Sequence, residues 1–267
     1  MAAVTASQRP DLLEQARDEL GVDPFGQIGD GTHLAQPALY CASLAHFKQA
    51  GSPDGTMIAG HSLGELAALV AGGALDAEPG LELAVIRGRL MEEAAEVTPG
   101  GMIAALGGEE ATVRELATNF GLTVANDNAP GQVVLSGPLE SLGEARRQLR
   151  ADGVKAIRLP VAGAFHSPLM AGAAEKFRAA LDEVEFRQPR LPVFSSTAAE
   201  PFADPRQGLA AALTEPVLWQ ATLKRMQGEG ADTFLETGPG DVLTGLVRRT
   251  LEGVEARSLA EPEAVHA

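Results

Sequence analysis

The hydrophobic pattern starts late. Residues 1–10 are small and polar and predict a mobile start. From Pro10 the period is helical, with Leu12, Leu13, Ala16 and Leu20 on one face and Gly21 as a stop. A polar loop covers 23–34. Gln36-Pro37-Ala38 then opens a second helix, with proline in its first turn. A short apolar run, Met57 to Ala59, predicts a buried strand, and an Ala/Leu-rich helix follows at once, fading at Ala71-Gly72-Gly73. Leu83, Ile86, Leu90 and Met91 repeat at helical spacing over 81–96. Arg87 lies four residues before Met91, so it leans toward the apolar side of that helix.

Beyond residue 100 the period changes. Met102 to Leu106, Leu122 to Ala125, Gln132 to Ser136 and Val154 to Leu159 read as strands, and 109–120 and 139–151 as helices. The order βαββαβ is the ferredoxin-like split motif. It makes 100–161 an inserted small subdomain between 1–99 and 162–267. After the insert come a helix over 170–184, a strand at 192–196, a helix from Pro216, a strand over Thr233 to Thr237, and a helix capped by Asp241. Such alternation predicts an α/β fold whose large subdomain holds a mostly parallel sheet. The tail after Glu261 predicts disorder.

Composition narrows the function classes. The 267 residues are 45% hydrophobic with one Trp and one Tyr, so the core must be built from Ala, Leu and Val. A net charge of −15 argues against nucleic acid and against anionic membrane surfaces as partners. The single cysteine, Cys41, sits in a helix interior and reads as an inert thiol; no internal disulfide or Cys-based metal cluster is possible, and no metal is expected. No apolar run is long enough for a membrane span and no leader pattern is visible, so a cytoplasmic monomer is the expectation.

The candidate chemistry centres on Gly60-His61-Ser62-Leu63-Gly64, a G-x-S-x-G turn between strand and helix. Such a turn strains the serine and exposes its Oγ. The glycines on either side are expected to avoid a backbone clash, and the Leu63 N–H is aimed at a developing oxyanion. A base is needed. Of five histidines, His266 is in the tail, His33 in a loop, His46 late in a helix, and His61 diverges from its neighbour Ser62. His166, in an irregular stretch between Gly163 and Pro168, is the candidate. No carboxylate stands out as a third member, which leaves a backbone carbonyl to orient the imidazole.

Seven collinear segments carry a resemblance: Gln36-Pro37-Ala38-Leu39, Gly60 to Glu65, Arg87-Gly88-Arg89-Leu90-Met91, Asn128 to Val134, Ala164-Phe165-His166-Ser167, Pro216-Val217-Leu218-Trp219, and Glu236 to Leu243. Together they make the chain resemble the malonyl-CoA:acyl-carrier-protein transacylases of bacterial fatty acid synthesis, relatives of the acyltransferase domains of polyketide synthases. The resemblance implies an α/β-hydrolase-like core with the ferredoxin-like insert. It also implies Ser62 as nucleophile, His166 as base and then acid, Leu63 N–H as an oxyanion donor, and Arg87 as the clamp for the free carboxylate of malonate. Phe165 would restrict an α-methyl branch, and the backbone carbonyl of Leu218 would orient His166. The implied partners are malonyl-CoA and acyl carrier protein, with no cofactor. Arg146, Arg147, Arg150, Lys155 and Arg158, or Arg248 and Arg249, are candidates for a local basic docking patch.

One departure accompanies the resemblance. The family begins with a strand and a Phe-Pro-Gly-Gln-Gly-type turn whose glutamine supplies a second oxyanion N–H. Here Pro24-Phe25-Gly26-Gln27 echoes only the composition, after a helix rather than a strand. An N-terminally shortened chain is the expectation, with a sheet neighbour left unpaired. Two other function classes stay open: a serine esterase or thioesterase, which needs an acidic triad member and has no use for Arg87, and an inactive scaffold that binds carrier protein.

Overall fold

The computed structural model describes residues 1–161 and 163–260; the tail expected to be disordered, with His266, lies outside the described residues. The N-terminus corrects the sequence expectation. Residues Ala2–Gln8 form a helix, α1, because Thr5 is fully buried and the Lys48 Nζ donates to the Gln8 carbonyl at 2.8 Å. Helix α2, Pro10–Leu20, buries Leu12, Leu13 and Ala16 and ends at Gly21 in the left-handed conformation, φ 72°. Helix α3, Thr32–Gln49, starts a turn earlier than its proline suggests, so Pro37 lies inside it. The proline ring supplies no N–H to the His33 carbonyl. Helix α5, Ala77–Val97, passes close at this point, where a Cβ on Gly88 would press on His33 and Thr32.

Strand β1, Ile58–Ala59, leads into α4, Gly64–Ala71, and then α5, Ala77–Val97. The insert follows as β2 (Gly100–Leu106), α6 (Glu110–Asn119), β3 (Thr123–Ala129), β4 (Gln132–Pro138), α7 (Leu139–Ala151) and β5 (Lys155–Arg158). Its strand order β3-β4-β2-β5 is antiparallel throughout, the ferredoxin-like arrangement. Alternation along β2 and β4 explains it. Ile103, Ala105, Val133 and Leu135 join the insert's own core with Val113, Leu142 and Leu149 of the two helices. Met102, Ala104 and Val134 point the other way, into the main core.

The body resumes with α8 (Ala171–Asp182), β6 (Val193–Ser195), β7 (Glu200–Pro201), α9 (Pro205–Ala211), α10 (Trp219–Gly228), β8 (Thr233–Glu236), α11 (Val242–Thr250) and β9 (Glu255–Ser258). Strands β7 and β9 and helix α9 carry too little periodic signal to be read from sequence. The large-subdomain sheet is in two pieces: β1 and β6 run parallel with β7 antiparallel beyond, while β8 pairs in parallel with β9. Among the described residues β1 has a partner on one side only, as does β8. Ala59 and Phe234, one from each piece, pack against the same cluster around Val217, Trp219 and Leu246.

One helix start differs from expectation. Asp241 stands at the start of α11 but does not cap it with its side chain. The Glu236 carboxylate does so from the end of β8, accepting from the Leu243 N–H at 3.0 Å and the Thr244 N–H at 2.7 Å. Among the described residues, backbone hydrogen bonds tie the insert to the body beside Val217, where the Asp127 N–H donates to the Val217 carbonyl and the Val217 N–H to that of Ala125.

Candidate active site

Strand β1 ends at Ala59, and the chain must reverse into α4 within four residues. Ser62 absorbs the strain at φ 53°, a conformation uncommon outside glycine. Gly60 is obligatory, since a Cβ there would overlap the backbone of Gly64 and Glu65. Gly64 is not: its Cβ position faces open space, which corrects the expectation for both glycines. The Leu63 N–H, at the mouth of the helix, has no acceptor among the described residues.

His166 is buried, 4% exposed, and is also held at positive φ, 55°. Its Nδ1 lies 2.7 Å from the Ala212 carbonyl and its Nε2 2.9 Å from Ser62 Oγ. A carbonyl can only accept, so Nδ1 carries the proton and the Nε2 lone pair receives the Ser62 O–H. The orienting carbonyl is therefore Ala212, not Leu218. Leu218 is occupied elsewhere: its N–H donates to the Ser196 carbonyl, and its carbonyl accepts from the Thr222 N–H and Oγ1 at the start of α10. A backbone carbonyl leaves no residue-type signal, so sequence could place it only by family register. Burial, then the charge of Arg87, then His61 push the His166 pKa down to about 3, so the imidazole is neutral in the free site, with its Nε2 lone pair open to the Ser62 hydroxyl.

Arg87 is 3% exposed and points from α5 at Ser62: Nη2 donates to Ser62 Oγ at 3.0 Å. Its Nη1 donates at 2.6 Å to Gln36 Oε1, and Gln36 Nε2 donates in turn to Thr32 Oγ1 at 3.0 Å and to Met91 Sδ at 3.3 Å. Gln36 thus aims the guanidinium. Sequence reasoning used Gln36 only as part of a motif, although a glutamine on a buried helix face was a visible signal. Phe165 is packed into the main core, its ring against Gly163, where any side chain would strike it.

His61 does diverge from Ser62. Its Nε2 meets Asn128 Oδ1 at 2.8 Å, its ring stands edge-on to Trp219 at 5.3 Å, and burial lowers its pKa. Gln27 is exposed on a turn held by Asp23 and bonds to none of Ser62, Arg87 or His166. Cys41 is buried and its thiol is pushed up to about 12, an inert group. Among the described residues no group of three His, Cys, Asp or Glu could hold a metal ion, and no helix is long and apolar enough to cross a membrane. In the proposed basic patch, Arg146 and Arg150 lean on the Ala156 carbonyl of β5 at 3.4 Å, while Arg248 bonds the Ala256 carbonyl and Arg249 the Gln132 side chain.

A serine on a strained strand-to-helix turn, with a neutral imidazole set against its hydroxyl by a backbone carbonyl, defines a serine–histidine acyl-transfer site. The acyl transferase domain family matches residues 11–263, and the chain belongs to that family. It is 38% identical over 282 residues to the malonyl CoA-acyl carrier protein transacylase of Bacillus subtilis, covering 98% of this chain and 88% of that one. It is 36% identical over 270 residues to the polyketide biosynthesis protein ThaF of Burkholderia thailandensis, where it spans only 23% of the relative's length. The solved malonyl CoA-acyl carrier protein transacylase of Coxiella burnetii superposes with a TM-score of 0.89 at 32% identity, over 97% of this chain and 89% of that one.

Proposed function

We propose that this chain moves a malonyl group from malonyl-CoA to the phosphopantetheine thiol of acyl carrier protein through a malonyl-serine ester. The observation that carries the reading is the buried Arg87 guanidinium 3.0 Å from Ser62 Oγ. A cation there has no use in the hydrolysis of a neutral ester, but it suits an acyl group ending in a carboxylate.

In the first half-reaction His166 Nε2 takes the Ser62 proton as Oγ attacks the thioester carbonyl. The Leu63 N–H stabilises the oxyanion, and the imidazolium returns its proton to the leaving CoA thiolate. The second half-reaction runs the same steps backward, with the carrier thiol as nucleophile. Ala212 holds the tautomer throughout. Arg87 keeps the malonyl carboxylate away from the scissile bond; a charged hydrogen bond of this kind contributes about 1.5–3 kcal/mol, roughly one to two orders of magnitude in preference over acetyl. Phe165, locked against Gly163, limits an α-branched acyl chain. The carrier protein is acidic in its usual form, so it docks on a local basic surface against the chain's net charge.

Intact-protein mass spectrometry after mixing with malonyl-CoA tests the reading. One malonyl adduct on wild type and none on Ser62→Ala is the expected result. An adduct that survives Ser62→Ala, or none on the folded wild type, would overturn it.

A further inference from the structure

One buried charge near the site has no part in the mechanism above. Glu65, in the first turn of α4, is completely buried. Its Oε1 accepts two hydrogen bonds, from the Ser196 N–H at 2.6 Å and the Ser196 hydroxyl at 3.0 Å. Its Oε2 is buried with no partner in the structure. Among the described residues, Arg87 on the adjacent α5 is the charged group that favours the ionised form of this carboxylate, and Glu65 is in turn the carboxylate that favours the charge on Arg87.

We propose that Glu65 is the resident counter-charge of Arg87 and takes up a proton when the substrate's carboxylate arrives there.

The inference rests on the reading of Arg87 as the carboxylate clamp. In the free site one cation and one anion share a dry interior. The incoming carboxylate adds a second anion to the same cation, and two like charges in a desolvated site disfavour each other's ionisation. The substrate carboxylate is held by donors aimed at it, whereas Glu65 has one oxygen with none. Oε2 is therefore the atom that takes the proton, and both bonds from Ser196 to Oε1 survive. A buried neutral O–H without an acceptor costs less than a buried charge without a partner. The other polar groups of the site do not compete for the proton. The 195–196 segment offers only serines, and His61 on the nucleophile turn and His166 beyond Ser62 are both kept neutral by burial. Burial already pushes Glu65 up to about 7, against the pull of Ser196 and Arg87, so one added negative charge moves it across neutral pH.

The test is isothermal titration calorimetry of the full chain carrying Ser62→Ala, at pH 7.5, in buffers of different ionisation enthalpy. Malonyl-CoA is compared with acetyl-CoA, which lacks the carboxylate but shares every other ionising group. The expected result is net uptake of about half to three quarters of a proton per malonyl-CoA bound and none for acetyl-CoA, with uptake lost in Ser62→Ala/Glu65→Gln while malonyl-CoA still binds. Glutamine keeps the acceptor for Ser196. Should that double variant not fold, the malonyl–acetyl difference decides alone. Equal uptake for the two ligands, or uptake that persists without Glu65, overturns the proposal. Malonyl-CoA binding without uptake overturns the proton coupling but leaves the clamp standing. No binding of malonyl-CoA overturns both.

Discussion

The insert and the elbow-bearing body hold their side chains in place by different means. In the insert, β2, β3 and β4 are seven residues each and are fixed by long antiparallel ladders, unbroken between β2 and β4 and shifted in register at two places between β3 and β4. In the body, β1 is two residues long, β6 three and β8 four. Strands that short fix little, and the body relies on single latches from side chains to backbone: Glu65 on Ser196, Glu236 on the start of α11, His166 on Ala212. A ladder tolerates the loss of any one bond. A latch does not, but it can set one atom where chemistry needs it, and every residue at the reactive centre belongs to the latched region.

That contrast can be broken at chosen points. The largest effect is expected at Gly60→Ala, where the new methyl has only backbone to displace; acylation of Ser62 by malonyl-CoA should fall at least about 10²-fold, or the protein should fail to fold. Expression yield, circular dichroism and acylation rate together read this out. In the insert, Leu135→Ala empties a fully buried position and should lower unfolding free energy by about 2–5 kcal/mol in urea titrations, while kcat of the folded fraction changes less than about threefold. Arg87→Ala should reduce the malonyl-to-acetyl preference in kcat/KM by about 10–100-fold, measured with both thioesters, and an unchanged ratio would count against the clamp. The smallest effect belongs to Gly64→Ala. Its Cβ meets nothing and its backbone is helical, so stability should stay within about 1 kcal/mol of wild type and acylation should be unchanged.

The same contrast explains what the sequence disclosed. The insert is nearly transparent because its chemistry is periodic: alternation along β2 and β4 and helical spacing in α6 and α7 give order, type and most boundaries. Ser62 and His166 are legible because glycines and a proline mark their irregular backbone, and Arg87 because a charge on an apolar face is an anomaly. What stayed hidden has no residue-type signature. The Ala212 carbonyl could belong to any residue, the Glu236 cap acts across seven residues, and α1 looks too polar to be ordered until Thr5 is seen buried beneath it. Pro37 misled for a related reason: the start of α3 is fixed by contacts with α5 around Gly88, which one helix alone does not reveal.

Trp219 gives the site a spectroscopic property. It is the chain's one tryptophan, 3% exposed, with its ring edge-on to His61 at 5.3 Å, and His61 immediately precedes Ser62. All indole emission from this molecule therefore arises beside the elbow. The band should be blue-shifted in the folded state, and any change in the charge or packing of the His61 imidazole should alter its intensity. Stopped-flow fluorescence can then follow the acylation of an unlabelled protein through a chromophore that the fold has already put in place.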